Sequence, residues 1–203
     1  MPVTVEFYHD LASPNAYLSN KVLGDILERT GASVVYKPVL LGGVFKATNN
    51  QAPWITFAPV KAKMDYNMME MDRFIKKNGL TDYKFNPHFP LNTLMLSRGA
   101  VAAEMNGELE AYIEAGQKLV WEQGLKMDDP EVFVEGFTAE GLDGAKLAAQ
   151  TQDQAVKDQL LANTNAAVER GIFGIPTFFV GDEMFFGKDR LRDLEEEIVA
   201  QSA

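Results

Sequence analysis

VTVEFYHDLASPNAYL, residues 3–18, combines the pattern of a buried strand with that of a helix start, and the rest of the predicted fold is arranged around it. Its first residues, 3–7, alternate between apolar and polar side chains, which is the pattern of a β-strand with one buried face. Ser13 then precedes Pro14, a pair typical of a helix N-cap and a first helical residue, because proline needs no N–H donor at that position. Apolar residues recur at helical spacing from there to Gly31, where the helix is predicted to end. The sequence therefore predicts that Ser13 lies where a buried strand ends and a helix begins.

Two interpretations of Ser13 follow from this position. A helix N-terminus presents unpaired N–H groups and the positive end of the helix dipole, so an anionic ligand or a thiolate would be stabilised beside Ser13. Ser13 can equally be a plain structural cap, since a serine hydroxyl is a poor nucleophile without a base and this stretch offers only His9 and Asp10. Both interpretations stay open on this stretch alone.

The composition excludes several classes of chemistry. The 203 residues include no cysteine, which excludes disulfides, zinc–thiolate sites, iron–sulfur clusters and catalysis by a protein thiol. No metal site is predicted. Any sulfur chemistry would have to come from a ligand.

Charge and hydropathy limit the partners that we expect. The formal net charge of −10 at pH 7 disfavours nucleic acid and anionic membrane surfaces, since both require a basic patch. No apolar run approaches the ~20 residues of a membrane-spanning helix. The first residues, 1–8, predict a strand instead of a secretory signal, so we expect a cytoplasmic protein.

The rest of the chain predicts an α/β domain interrupted by helices. After the first helix, the sequence predicts a strand over 33–41, a loop over 42–54, a helix over 59–78 and an irregular segment over 83–90. A long helical region from 92 to about 121 follows, with a break near 106–107, and further helices are predicted to begin at 128 and to span 141–149 and 153–170. The last part predicts strands over 174–180 and 183–186 and a closing helix through 191–198. A strand–helix–strand unit of this length favours parallel pairing of the first two strands. We therefore expect one α/β domain over residues 1–58 and 171–203, split by an all-helical insertion over residues 59–170.

Two stretches together carry a resemblance to a known fold. A strand that ends at a helix N-terminus, combined with a late Gly-Ile-Pro-Thr at 174–177 that is followed by a hairpin and a helix, resembles the thioredoxin fold. With its helical insertion, the chain resembles the DsbA-like branch of that fold. In disulfide oxidoreductases of this branch the helix begins Cys-Pro-X-Cys, whereas residues 13–16 here read Ser-Pro-Asn-Ala. Dithiol–disulfide exchange is therefore excluded.

With serine at the first of those positions, the chain resembles the kappa-class glutathione transferases and the bacterial 2-hydroxychromene-2-carboxylate isomerases, which also have serine there. The shared motifs, in chain order, are SPxxYL at 13–18, LGGxxK at 41–46, Asn50, KxxY at 63–66, FPxNT at 89–93, FGIPT at 173–177 and FFGxDR at 185–190. Because all of them occur in one order along nearly the whole chain, the resemblance is specific for this family.

The resemblance implies a glutathione site centred on Ser13 and on a cis bond between Ile175 and Pro176. Ile175 would offer its backbone N–H and C=O to the cysteinyl part of glutathione, as one strand adds to another. The Ser13 hydroxyl would donate to the glutathione sulfur and favour the thiolate, so that Ser13 activates a bound nucleophile and is not itself the nucleophile. The alternative is an ordinary trans bond that starts a strand.

The resemblance also implies which residues hold the two ends of glutathione. Phe186, Gly187, Lys188 and Asp189 would hold the γ-glutamyl end, with Asp189 taking the ammonium group; the alternative for Asp189 is a plain helix cap. At the other end, the resemblance implies Asn50 and Lys63. Lys61 is a rival for Lys63, and a solvated helix face is an equal alternative for Lys63.

A small aromatic carboxylate is the substrate that the resemblance implies. We expect Lys46 to bind its carboxylate, and Phe57, His88 and Phe89 to line its pocket. Neither histidine is assigned as a general base.

Three functions are weighed on this basis. The first is a glutathione-dependent isomerase of the 2-hydroxychromene-2-carboxylate type, acting in aromatic compound degradation by reversible addition of the glutathione thiolate, with glutathione as a reusable cofactor. The second is a kappa-like glutathione transferase or peroxidase, which consumes glutathione. The third is a non-catalytic thioredoxin-fold module that binds peptides. A homodimer is expected by resemblance.

Overall fold

A four-stranded sheet surrounded by helices makes up the protein, as described by a computed structural model of residues 2–11 and 13–202. Ala12 of the opening stretch, and Met1 and Ala203 at the ends of the predicted α/β domain, lie outside the described residues. The strands are β1 Thr4–His9, β2 Ser33–Pro38, β3 Thr177–Val180 and β4 Glu183–Phe186. The helices are α1 Pro14–Thr30, α2 Leu41–Thr48, α3 Pro53–Thr56, α4 Lys61–Lys77, α5 Leu94–Asn106, α6 Leu109–Trp121, α7 Pro130–Ala139, α8 Gly144–Gln150, α9 Gln154–Glu169 and α10 Leu191–Ser202.

The sheet has the strand order β2-β1-β3-β4. β1 and β2 pair in parallel, as the crossover helix predicted, and β3 pairs antiparallel to both β1 and β4. Val5 and Phe7 of β1 are fully buried, and the ring of Phe7 lies 4.5 Å from that of Phe178 on β3. The chain therefore forms the predicted α/β sheet around β1.

The predicted ends of the first helix are confirmed. The Ser13 side chain accepts a hydrogen bond from the Ala16 N–H, and Pro14 occupies the first helical position. Gly31 adopts the left-handed conformation, with φ of 70°, and donates its N–H to the Leu27 carbonyl. Both ends are specified by residues next to them in sequence.

The predicted loop over 42–54 is wrong, because this segment contains α2 and α3. Glycine, asparagine and threonine favour turns locally, but burial of Leu41 and Val44 in the sheet's core stabilises α2. At Gly43 an added Cβ would lie 3.1 Å from the Thr164 side chain, so α2 and α9 pack closely. The second strand ends at Pro38 and not at residue 41, and it lies at an edge of the sheet, as expected for a strand that contains proline.

The helices from α4 to α9 form a second apolar core beside the one under the sheet. The predicted break between two long helices is confirmed, since Gly107, with φ of 76°, separates α5 from α6. Trp121 on α6 donates its indole N–H to the Leu11 carbonyl at 2.9 Å and so joins the helices to the end of β1. The domain boundaries near residues 59 and 170 stay a prediction.

Within residues 2–11 and 13–202, no helix has both the length and the apolar character needed to cross a bilayer.

Candidate functional site

Ser13 and Ile175 meet at the centre of the candidate site. Ser13 is 5% exposed, and its hydroxyl donates to the Ile175 carbonyl at 3.2 Å while it accepts from the Ala16 N–H at 3.2 Å. The bond between Ile175 and Pro176 is cis, as the resemblance implied, so the trans alternative is wrong. The start of α1 and the loop before β3 are therefore brought together although 162 positions separate them.

The loop before β3 is fixed by its small residues. An added Cβ at Gly174 would lie 2.9 Å from the ring of the exposed Phe186, so a larger residue there would displace that ring. Thr177 donates its hydroxyl to the Gly174 carbonyl at 2.8 Å. The Gly187 N–H donates to the Pro176 carbonyl at 3.0 Å, which joins the start of the last helical segment to the cis-proline loop.

The corner from Phe186 to Asp189 lies beside this loop. Gly187 has a φ of 93°, which favours glycine, and a short 3₁₀ turn over Lys188–Arg190 leads into α10. Lys188 is 7% exposed; its ammonium group pairs with the exposed Asp189 carboxylate and lies 5.1 Å from the centre of the Phe74 ring on α4. Phe186 is exposed and packs on Phe173, with 4.6 Å between the ring centres.

Asn50 connects the end of α2 to the same loop. Its side-chain amide donates to the Phe173 carbonyl at 2.9 Å, and its side-chain oxygen accepts from the Gln51 N–H at 2.8 Å. Asn50 therefore lies at the boundary between the cis-proline loop and the cleft described next.

A cleft of about 500 Å³ lies on the far side of Asn50. Its walls are residues 40–42, Phe45, 50–52, Trp54, Ile55 and 89–94. This volume is in the range of small-molecule sites, and most of the lining is apolar or aromatic. Phe89, which the sequence predicted for the pocket, is part of the wall and packs on Trp54 at 4.7 Å between ring centres.

Three other residues predicted for the substrate pocket are not among the residues that line this cleft. They are Lys46, Phe57 and His88. Lys46 and His88 are exposed. Phe57 instead packs under Lys63, whose ammonium group lies 3.3 Å from its ring centre. Lys61 forms an ion pair with Asp65, so both lysines proposed for glutathione already have partners within this region.

Asp10 is a member of the site that sequence reasoning did not place. It is 2% exposed, and its Oδ2 accepts from the Leu41 N–H at 2.7 Å, the Thr93 hydroxyl at 3.2 Å and the Ser97 hydroxyl at 3.5 Å. Leu41 and Thr93 both line the cleft. Asp10 also accepts the Ser13 N–H at its backbone carbonyl. The signal in the sequence was an acid directly after a buried strand.

His9 is a neutral structural residue. Burial lowers the pKa of its imidazole from 6.5 to about 3. The Gln117 side-chain nitrogen lies 2.9 Å from Nε2, and because an amide nitrogen only donates, Nε2 is the acceptor. His9 therefore has no lone pair available to act as a general base.

These features define the class of protein. A serine at a helix N-terminus faces a cis-proline loop on a β2-β1-β3-β4 sheet, which is a thioredoxin-like fold with a hydroxyl at its reactive position. The DsbA-like thioredoxin domain model matches residues 4–199, and the chain belongs to that family.

Similar curated proteins are isomerases and glutathione transferases, and they support an enzyme of this family. The chain is 29% identical to 2-hydroxychromene-2-carboxylate isomerase of Pseudomonas putida over 94% of this chain and 92% of that protein. It is 28% identical to the isomerase of the same name from Sphingobium xenophagum, over 98% of this chain and 100% of that protein. It is 26% identical to human glutathione S-transferase kappa 1, over 94% of this chain and 88% of that protein.

Solved structures agree with this assignment. A structure of 2-hydroxychromene-2-carboxylate isomerase superimposes with a TM-score of 0.84 at 28% identity, covering 98% of this chain and 96% of that one. A probable DsbA oxidoreductase from Streptomyces coelicolor superimposes with a TM-score of 0.72 at 22% identity, over 98% and 89%, which supports the fold alone. The predicted fold class is confirmed.

Proposed function

We propose that this protein is a glutathione-dependent isomerase that converts a cis aromatic enone into its trans isomer. The observation that carries the proposal is the Ser13 hydroxyl, held at the N-terminus of α1 against the cis Ile175–Pro176 bond. The names of the isomerase relatives support isomerisation, and those of the kappa relatives support the use of glutathione.

Glutathione binding would exchange the hydrogen bonds at Ser13. The cysteinyl N–H of glutathione would donate to the Ile175 carbonyl, which now accepts from Ser13. The Ser13 proton would then be directed to the sulfur. A hydrogen bond to the thiolate, together with the positive end of α1, lowers the pKa of the thiol, and each unit corresponds to about 1.4 kcal/mol.

The two ends of glutathione would lie on either side of Ser13. Lys188 and Asp189 would share the γ-glutamyl end, with the buried ammonium group of Lys188 facing its carboxylate and Asp189 facing its ammonium group. Phe186 and Gly187 would flank this end. Asn50 and Lys63 would face the other end, with Lys61 as the rival of Lys63.

The reaction consumes no glutathione. The thiolate adds to the β-carbon of the enone, and the π electrons move to the carbonyl oxygen to give an enolate. The former double bond is now single and rotates. The enolate then re-forms the carbonyl and expels the thiolate, which leaves the trans enone and free glutathione. The aromatic part of the substrate would occupy the cleft beside Asn50.

A kappa-like transferase or peroxidase is the second candidate, favoured by the kappa relatives. Product analysis separates the two, because isomerisation leaves the total thiol unchanged. Action in aromatic degradation, a cytoplasmic location and a homodimer stay predictions.

Calorimetric titration of glutathione across a pH series tests the proposal. The matched variants are Ser13→Ala and Ser19→Ala, since Ser19 is buried on the same helix and its hydroxyl has no hydrogen-bond partner among the described residues. We expect all three proteins to bind glutathione. The native protein and Ser19→Ala should release a proton on binding near neutral pH, and Ser13→Ala should not.

Two results would contradict the proposal. Equal proton release by Ser13→Ala would remove the role of Ser13 as the thiolate stabiliser. No binding by any of the three would exclude both glutathione enzymes and favour the peptide-binding module.

A further inference from the structure

The cleft beside Asn50 carries an inference about the substrate, which rests on the proposed function. We propose that this chain acts on uncharged aromatic enones in preference to the same enones bearing a carboxylate. The reasons are that the described residues lining the cleft carry no charge, and that a buried aspartate already accepts the Leu41 N–H and the Thr93 hydroxyl at its wall.

The walls of the cleft carry no charge. Among the described residues that line it, the polar ones are Asn50, Gln51, Asn92 and Thr93, and the rest are apolar, aromatic or glycine. Amides and hydroxyls can pair with a ketone oxygen or an ester. A carboxylate that leaves water for such a surface without a cation loses far more hydration than it regains.

Two helices begin at the wall of the cleft, α2 at Leu41 and α5 at Leu94. Helix N-termini commonly bind anions, so they are the natural place for a substrate carboxylate. Here the Leu41 N–H donates to Asp10 at 2.7 Å, and the Leu94 N–H donates to the Asn92 side chain at 3.1 Å. The Asp10 carboxylate also accepts a hydrogen bond from the Thr93 hydroxyl.

Asp10 therefore has two effects on the cleft. It uses donors that an incoming anion would need, and it places a carboxylate directly behind Leu41 and Thr93. A substrate carboxylate at this wall would meet a negative charge across a low-dielectric layer, which raises the free energy of the bound anion.

The nearby lysines do not supply a positive charge to the cleft wall. Lys46 is exposed and is not among the residues that line the cleft. Lys63 lies over Phe57, and the ammonium group of Lys61 is paired with Asp65. The carboxylate contact predicted for Lys46 thus has no counterpart in the cleft wall.

Binding and turnover are measured separately to test the preference. The binding probes are 4-phenylbutanoate and its uncharged amide, 4-phenylbutanamide, read by the fluorescence of Trp54 in the cleft wall, with Trp54→Phe as the blank. The turnover pair is cis 4-phenyl-2-oxobut-3-enoate and its methyl ester, with glutathione present. Each turnover ratio is divided by the ratio of the uncatalysed rates with glutathione alone.

We expect the amide to bind at least about tenfold more tightly than the carboxylate, which is about 1.4 kcal/mol, and kcat/KM to favour the ester by a similar factor. Ile55→Lys should shift both preferences toward the carboxylate by about tenfold, because Ile55 lines the cleft and is 56% exposed, so it accepts lysine without disturbing the core. Ile55→Met is the matched control. Lys46→Gln should leave both ratios unchanged.

The outcomes distinguish this inference from the proposed function. Turnover of both substrates with the carboxylate preferred would overturn the inference and leave the isomerase standing. Tighter binding of the amide without any glutathione-dependent turnover would support the inference about the cleft and overturn the isomerase. A loss of carboxylate binding in Lys46→Gln would also overturn the inference, since Lys46 would then be the anion contact.

Discussion

At the scale of single residues, Ser13 combines two tasks in one oxygen atom. It caps α1 by accepting the Ala16 N–H, and its proton is directed at Ile175 across the site. The cap and the candidate chemistry are therefore compatible, and the two interpretations of Ser13 left open by the sequence hold together. Ala16 stands where a dithiol enzyme has its second cysteine, so no resolving thiol is present beside Ser13.

Ser13→Cys should convert the site into a trap for glutathione. A thiol at a helix N-terminus has a lowered pKa, and without a second cysteine at Ala16 a mixed disulfide formed with oxidised glutathione cannot be resolved. We expect one glutathione per chain by intact-mass spectrometry after incubation with oxidised glutathione. Ser19→Cys, buried in the core, should stay unmodified; equal modification of both variants would contradict the geometry of the site.

His9 should make the protein less stable as the pH falls. Its pKa in the folded protein is about 3, against 6.5 for an ordinary histidine, so between these values the unfolded chain binds more protons than the folded one. The free energy of unfolding contributed by neutral His9 is present above pH 6.5 and is lost toward pH 3, at up to about 1.4 kcal/mol per pH unit.

Urea unfolding of the native protein and His9→Gln at several pH values measures this contribution. At pH 8 the difference between the two reports only packing and the Gln117 contact. The native protein should then lose its advantage as the pH falls through the window from 6.5 to 3. A difference that stays constant with pH would show that the pKa of His9 is the same in the folded and unfolded states, which would contradict the prediction.

At the scale of elements, close packing of α5 and α6 depends on one glycine. An added Cβ at Gly99 would lie 2.3 Å from the Tyr112 hydroxyl, which donates to the Leu96 carbonyl. The Tyr112 ring is fully buried and stacks on Phe137 at 4.3 Å between ring centres, so it has no room to move. The helix pair therefore approaches as closely as glycine allows.

Gly99→Ala should destabilise the protein by about 1–3 kcal/mol through overpacking. Gly24→Ala is the matched change in another helix, where nothing lies within 4 Å of the added Cβ. It should stabilise α1 by up to about 1 kcal/mol, because alanine has the higher helix propensity. Chemical denaturation measures both, and a loss of stability in Gly24→Ala as large as in Gly99→Ala would contradict this account.

At the scale of the whole molecule, Asp10 joins three parts of the fold. It follows β1, and its side chain accepts from the start of α2 and from Thr93 and Ser97 at the start of α5. The sheet, the α2 segment and the inserted helices are thus held together at one carboxylate. The cleft walls at Leu41 and Thr93 depend on it.

Asp10→Asn should lower the free energy of unfolding by about 2 kcal/mol, because hydrogen bonds to a charged group are replaced by weaker ones and the amide brings donors to a site that supplies donors. Asp182→Asn, in the exposed turn between β3 and β4, is the control and should change stability by less than about 0.5 kcal/mol. Denaturant titration of the three proteins checks this. Similar stability of Asp10→Asn and the native protein would mean that the carboxylate does not hold these elements together.

Features whose signals lie within a few residues follow from the amino-acid sequence alone. The strand over 4–9, the cap at Ser13, the end at Gly31 and the break at Gly107 follow from local preferences of serine, proline and glycine and from apolar spacing, and the structure bears them out. The meeting of Ser13 with Ile175 came from the resemblance of paired motifs, not from any periodicity.

Contacts between distant parts of the chain depend on how the helices and strands pack in three dimensions. The helix α2 forms over turn-favouring residues because its apolar side is buried, and Asp10 finds its partners 31 to 87 positions away. Lys46 is not among the residues that line the cleft. The packing of the helices decides which side chains share a wall, and the local sequence of each helix does not. Local preferences are fixed by neighbours along the chain, whereas burial and charge pairing are fixed by neighbours in space.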